Sequence, residues 1–276
     1  MAAVQGAVNQ AGGPALKLEA RGLHKHFIKR GQPLEVLRDI NFGIAPGEFV
    51  AVVGASGCGK TTLLRMADGL ESISAGSLLI DGQERTDPGP DRGFVFQQDT
   101  LMPWRTVLKN IALGLELQGK PKRAGLEQAR RFLEVVGLAG FEQHYPHELS
   151  GGMRQRANLA RAFCIEPELL LMDEPFAALD AQTREIMQSE LLRIWERTAG
   201  GTVLFITHQI DEAIFLADRI IVLTARPGRM KDIIDVPFAR PRDLEVKRTA
   251  EFGALYDHIW KMIEEEVRVS MGMRSG

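Results

Sequence analysis

Apolar residues along this chain follow two rhythms, short unbroken runs and wider stripes at intervals of three and four. Residues 49–53 read F-V-A-V-V, and residues 169–172 and 203–206 repeat that character. Runs with no polar face are expected of strands buried on both sides of a parallel sheet. Residues 16–27, 40–44, 77–80, 93–96 and 219–223 add strand candidates, with a hairpin at 29–33 and a turn at Asp81-Gly82. Helical spacing connects Leu63, Leu64, Met66, Ala67 and Leu70, and again Leu126, Ala129, Phe132, Leu133 and Val136. Residues 181–198 and 211–216 also read as helices.

Strands alternating with helices give an α/β domain over residues 16–225, and the strand-poor stretch at about 100–165 reads as a helical insertion within it. Residues 1–15, rich in Ala, Gly and Gln, are expected to form a disordered leader. Residues 226–276 form a short C-terminal extension, and the polar stretch 225–231 leads into its tail. In that tail Phe252, Leu255, Tyr256, Ile259, Trp260, Ile263 and Val267 make one apolar stripe. A terminal helix packed on its own domain accounts for the stripe, and a partner contact is the alternative.

Composition narrows the function classes. Of 276 residues 45% are hydrophobic, ample for a core. With 34 basic and 36 acidic residues the net charge is -2, which supplies no field to attract nucleic acid. Cys58 and Cys164 are too few for a disulfide framework or a metal cluster. No apolar run approaches the roughly 18 residues of a membrane span, so a membrane role requires a partner.

The candidate chemistry begins where the first apolar run ends. Residues 54–61 read G-A-S-G-C-G-K-T. Strand, glycine-rich loop and helix in this order form a phosphate-binding loop. Gly54, Gly57 and Gly59 let the backbone wrap phosphates, with Ala55, Ser56 and Cys58 completing the loop and the helix start adding positive charge. Lys60 is expected to bridge the β- and γ-phosphates of ATP, Thr61 to offer its hydroxyl to Mg²⁺, and Thr62 to reach the α-phosphate. The same helix start is expected to lower the Cys58 thiol pKa and make the site thiol-sensitive. Residues 169–174, L-L-L-M-D-E, deliver two carboxylates. Asp173 is placed to hold Mg²⁺ through water, and Glu174 to polarise an attacking water. Gln97, after F-V-F, can reach Mg²⁺ or that water, and His208, after V-L-F-I-T, can sense the γ-phosphate. Both stand where parallel strands end, the edge at which α/β sheets bind ligands.

A second glycine-rich segment, L-S-G-G-M-R-Q-R at 149–156, is unexplained by one phosphate site. The full order of motifs resembles the ATP-binding cassette (ABC) ATPases: phosphate loop, Gln97, Ser150-Gly151-Gly152-Met153-Arg154-Gln155, the carboxylate strand, Ala177-Ala178-Leu179-Asp180, and His208. The resemblance covers residues 16–223. It implies a P-loop ABC ATPase fold with a mainly parallel core sheet, an antiparallel β subdomain and a helical subdomain. It also implies a head-to-tail dimer in which Ser150, Gly151, Gly152 and Gln155 complete the ATP site of the second copy, with Asp180 communicating between the sites. Phe27 matches the aromatic that stacks on adenine. Ala177 stands where the family often has serine or glycine, a mild departure.

Residues 96–107 with Asn110, the segment Ala225-Arg226-Pro227-Gly228-Arg229, then Pro237, Pro241-Arg242 and the Trp260 region resemble the nitrate, sulfonate and taurine importer branch. That branch implies two transmembrane permease subunits, an extracytoplasmic solute-binding protein acting indirectly, and a peripheral location on the cytoplasmic face of the bacterial inner membrane. Residues 101–104 would meet the permease or anchor the helical insertion, two compatible roles. Bicarbonate, a nucleobase-like compound or a thiamine precursor remain alternative cargoes, and a non-transport ABC ATPase is the more distant alternative.

Overall fold

The computed structural model describes residues 15–197 and 201–270; most of the expected leader lies outside them. Strands β1 (Leu18–Lys29) and β2 (Gln32–Ile44) form the expected hairpin. Arg30 and Gly31 make its turn at φ 53° and 75°, the left-handed pair that suits the twist of a two-residue hairpin. Strand β4 (Ala75–Ile80) pairs with β1, and the Asp81-Gly82 turn leads to the two-residue β5 (Gln83–Glu84). These four strands form an antiparallel sheet in the order β2-β1-β4-β5.

The second sheet has six strands, ordered β10-β9-β3-β8-β7-β6. They are β3 (Phe49–Gly54), β6 (Arg92–Val95), β7 (Leu169–Asp173), β8 (Thr202–Ile206), β9 (Arg219–Leu223) and β10 (Met230–Asp235). All neighbours are parallel except β9 and β10. Strand β10 begins at the end of the polar stretch 225–231 and continues into the tail, where the sequence suggested no strand. It closes an edge of the main sheet by pairing with β9.

The unbroken apolar runs now have a physical account. In β3, Phe49, Ala51 and Val53 face one core, and Val50 and Val52 face another. Strands β7 and β8 divide their side chains in the same way. One core lies under α1 (Lys60–Asp68) and the antiparallel sheet. The other joins the sheet to α6 (Ala181–Arg197), α7 (Ile210–Leu216), α8 (Ala250–Ser270) and the helical insertion. Fully burying each large side chain contributes about 1.5–3 kcal/mol.

The helical insertion holds α2 (Val107–Ile111), α3 (Leu113–Leu117), α4 (Lys122–Val135) and α5 (Gly151–Cys164). Its entry is fixed by the buried Asn110 side chain, which accepts from Met102 N at 2.6 Å and donates to Arg105 O at 2.9 Å. Leu101 is buried beneath this turn while Trp104 projects from it, 74% exposed. Helix α1 stops earlier than its apolar spacing suggested. Gly69 takes a left-handed cap, leaving Leu70 exposed beyond the helix. In the tail, Phe252 and Ile259 are buried against the core and Trp260 remains half exposed.

Candidate functional site

Sheet order brings together residues that are distant in sequence. Strands β3, β8, β7 and β6 are parallel neighbours, so their carboxyl ends share one edge. The phosphate loop leaves β3, His208 follows β8, Asp173 ends β7 with Glu174 just after it, and Gln97 follows β6. Glu174 therefore stands between His208 and Gln97. Its Oε2 accepts from Gln97 Nε2 at 3.2 Å and lies 3.2 Å from His208 Nδ1. The backbone turns at Glu174, φ 45°, with its N–H held by Ile206 O at 2.9 Å. Such a conformation is costly for a residue with a side chain, and the neighbouring strand secures it.

The phosphate loop is fixed from several sides. Gly59 caps α1 at φ 111°, and a Cβ there would meet Leu37 Cδ2 at 2.7 Å. It provides no side-chain cap, so the first N–H groups of α1 are available to an anion. Lys60 Nζ donates to Gly54 O at 2.9 Å and Ala55 O at 3.3 Å. Together with Phe27, Ser56, Gly57, Thr61, Thr62, Glu174 and Arg226, it lines a cavity of about 570 Å³. A ring, a cation with a helix start, and a carboxylate lining one cavity suit a nucleoside triphosphate. Lys25 Nζ lies 4.6 Å from the Phe27 ring centroid and is ion-paired with Glu71 at 2.8 Å, which helps fix the ring.

Thr61 Oγ1 donates to Asp173 Oδ1 at 3.1 Å. Burial pushes the Asp173 carboxyl upward, opposed by the Thr61 hydrogen bond and by nearby Arg65 and Lys60. These two oxygen donors fit a small divalent cation that keeps several waters. Among the described residues no cluster of three or more His, Cys, Asp or Glu could hold a metal alone. An ion here would draw on the Asp173 carboxylate and the Thr61 hydroxyl, with its other ligands from Gln97, nucleotide or water.

The thiol expectation is corrected. Cys58 belongs to the loop through its backbone, but its side chain is sealed in the core, and burial raises its pKa. The helix start does not prevail over desolvation. Cys164 is likewise pushed up to about 12 by burial.

Ser150 caps α5, its Oγ accepting from Met153 N at 3.3 Å. With Gly151, Gly152 and Asp180 it lines a separate cavity of about 700 Å³ that includes no phosphate-loop residue. Asp180 caps the next helix by accepting from Thr183 N at 3.0 Å, and its carboxyl pKa is lowered by hydrogen bonds to Thr183. Gln155 is buried, and it borders a third cleft with Gln97 and Asp99. The two glycine-rich segments thus belong to different surfaces of one subunit.

A family model described as ABC transporter matches residues 37–177, more than half of the chain. The chain belongs to the ABC transporter family. This ABC protein is an ATPase of the transport-coupled kind. It is 51% identical over 256 residues to an uncharacterised ABC transporter ATP-binding protein of Methanocaldococcus jannaschii, covering 93% of this chain and 94% of the relative. It is 43% identical over 254 residues to a nitrate import ATP-binding protein of Synechocystis, with coverages of 90% and 95%. A taurine import ATP-binding protein of Pseudomonas aeruginosa is 44% identical over 259 residues, with coverages of 91% and 98%. Among solved structures, an ATP-binding cassette dimer in a post-hydrolysis state with ADP and Pi has TM-score 0.70 and 30% identity. It covers 80% of this ABC chain and all of its own.

Ile28, Lys29, Leu34, Val36 and Arg226 also line the ABC nucleotide cavity and were not assigned to the site from sequence. Arg226 entered only as part of a segment resembling one branch, yet its Nε and Nη2 reach Gly57 O at 3.1 and 2.9 Å. Only the fold places residue 226 beside residue 57.

Proposed function

We propose that this ATPase drives import of a small oxyanion, such as nitrate, an aliphatic sulfonate or taurine, through a separate membrane permease. The cargo reading rests on relatives named for nitrate and taurine import. No helix among the described residues is long and apolar enough to cross a membrane, consistent with a permease made by other chains. The subunit would sit on the cytoplasmic face of the inner membrane, with a solute-binding protein supplying cargo on the other side.

The observation that carries the mechanism is the separation of Lys60 and Ser150 into different cavities. A head-to-tail pair of subunits brings the free N–H groups at the start of α5 to the nucleotide of the other copy. ATP binds along the Phe27-to-Glu174 cavity, and Lys60 turns from loop carbonyls to the phosphates. Thr61 and Asp173 would hold Mg²⁺, with Gln97 as a further ligand; the ion would neutralise phosphate charge when bound. Glu174 accepts a proton from the attacking water as it approaches the γ-phosphate. His208 and Gln97 orient that carboxylate. Ser150 of the second copy contacts only the triphosphate form, so ATP favours closure and hydrolysis permits reopening.

Complementation tests the composite site. Lys60→Ala disables one half-site and Ser150→Arg the other, and each homodimer is expected to be inactive. Mixing them leaves one intact Lys60–Ser150 pair in each heterodimer, which restores turnover. If both motifs served the same subunit, no mixture would recover activity. The substrate is tested separately by identifying solutes retained by the assembled transporter and its binding protein.

A further inference from the structure

The segment after β9 passes directly over the phosphate loop. Gly228 N donates to Val36 O at 2.8 Å and Arg38 N to Gly228 O at 2.9 Å, which fastens the segment to β2. Its approach to the loop is close: a Cβ on Gly228 would lie 2.2 Å from Cys58 O. Thr224 Oγ1 accepts from Arg229 N at 3.0 Å, closing the segment on itself. Arg226 is thereby presented to the loop with no carboxylate ion-paired to it among the described residues.

What Arg226 holds is one peptide unit. The Gly57 carbonyl accepts two of its guanidinium N–H groups, and the N–H of the same unit, on Cys58, donates to Ala55 O at 3.3 Å. Both ends of that peptide are pinned. A phosphate loop presents N–H groups inward, so a carbonyl held by a cation outside the loop favours the binding-competent arrangement. The charge also lies in the wall of the cavity that receives the triphosphate.

The segment is in turn held by the C-terminal helix. Glu266 Oε2 accepts from Ala225 N at 2.9 Å, next to Arg226 in sequence. Lys231 Nζ donates to Glu265 and Glu266, each at 2.8 Å, and to Met262 O at 2.9 Å. We propose that Arg226 is a positioning residue for the phosphate loop and that α8, through Glu266, sets nucleotide affinity by holding it there. The inference rests on the cavity around Lys60 being the nucleotide site.

The test compares steady-state ATP hydrolysis and direct ATP binding in the full-length chain. Arg226→Ala is expected to raise KM and Kd by about 10-fold, with a smaller change in kcat, because a charge-assisted hydrogen bond is lost. Arg226→Lys keeps the charge without the fork and recovers part of that loss. Glu266→Ala shifts affinity in the same direction, and the double variant with Arg226→Ala is no weaker than Arg226→Ala alone. Unchanged affinity in Arg226→Ala, or additive effects in the double variant, would overturn the proposal while Lys60→Ala loses binding. If Lys60→Ala also binds normally, the nucleotide-site assignment falls, and the proposal with it.

Discussion

Replacing Glu174 by Gln removes a base while leaving its surroundings nearly intact. The Glu174 Oε2 position lies 3.2 Å from both Gln97 Nε2 and His208 Nδ1. A glutamine amide oxygen has two lone pairs and can accept from both. Side-chain volume is conserved, and the left-handed backbone at φ 45° is no harder for Gln than for Glu. Folding stability should therefore change by less than about 0.5 kcal/mol. The barrier should change far more, because an amide cannot take the proton of the attacking water. A positioned base contributes roughly 10²–10⁴ in rate, or about 2.7–5.5 kcal/mol. Phosphate release at saturating ATP, measured beside ATP affinity, separates the two effects. The expected result is retained affinity, a fall in kcat of at least about 100-fold, and a dimer that persists with ATP. A fall smaller than about fivefold with intact binding would refute the assignment of Glu174 as base.

One further substitution and one modification probe burial at the two ends of the α1 region. Asp68, the last residue of α1, has its carboxyl pKa raised to about 6 by burial, with Arg92 opposing and Asp91 adding to the rise. Its folded pKa exceeds the unfolded value, so stability is highest below about pH 4 for this group and declines toward pH 6. Asp68→Asn should flatten that slope and add about 1 kcal/mol above pH 6, after allowance for solvent screening; urea unfolding at pH 4.5 and 7.5 would reveal an unchanged slope if this is wrong. Cys58 should resist alkylation in the folded protein with or without ATP and react only on unfolding. Native labelling that ATP suppresses, followed by intact-mass spectrometry, would contradict its burial.

The core of this fold was legible because its strands are apolar on both faces. Residues 49–53, 169–172 and 203–206 could satisfy that pattern only inside a covered sheet, and the phosphate-loop and carboxylate motifs were tied to their ends. Strand β10 escaped notice for the opposite reason. Lys231, Asp232 and Asp235 interrupt any alternation, and the strand owes its existence to pairing with β9 rather than to a buried face. Leu70 followed the helical spacing, but the left-handed Gly69 ended the helix before it. At the site, residue type and strand position identified Glu174, Gln97 and His208. Their common meeting point depended on sheet order, which local patterning does not encode. The Cys58 expectation weighed the helix start and omitted the core on the other side of the loop. Arg226 required two loops to meet in space.

The placement of Gln97 has a mechanical consequence. Strands β6 and β7 are adjacent in the sheet, yet the entire helical insertion is threaded between them. Gln97 lies on the outgoing limb two residues after β6, and Glu174 follows β7, the strand into which the excursion returns. Arg154 Nε, at the start of α5, reaches Asp99 Oδ2 at 3.0 Å, so the returning limb also grips the outgoing one. The lobe shares one core with the sheet, and the Gln97–Glu174 contact at 3.2 Å is a second, polar joint between them. If Glu174 is the proton acceptor proposed above, a torque on the lobe would bear on that carboxylate through one hydrogen bond as well as through the core.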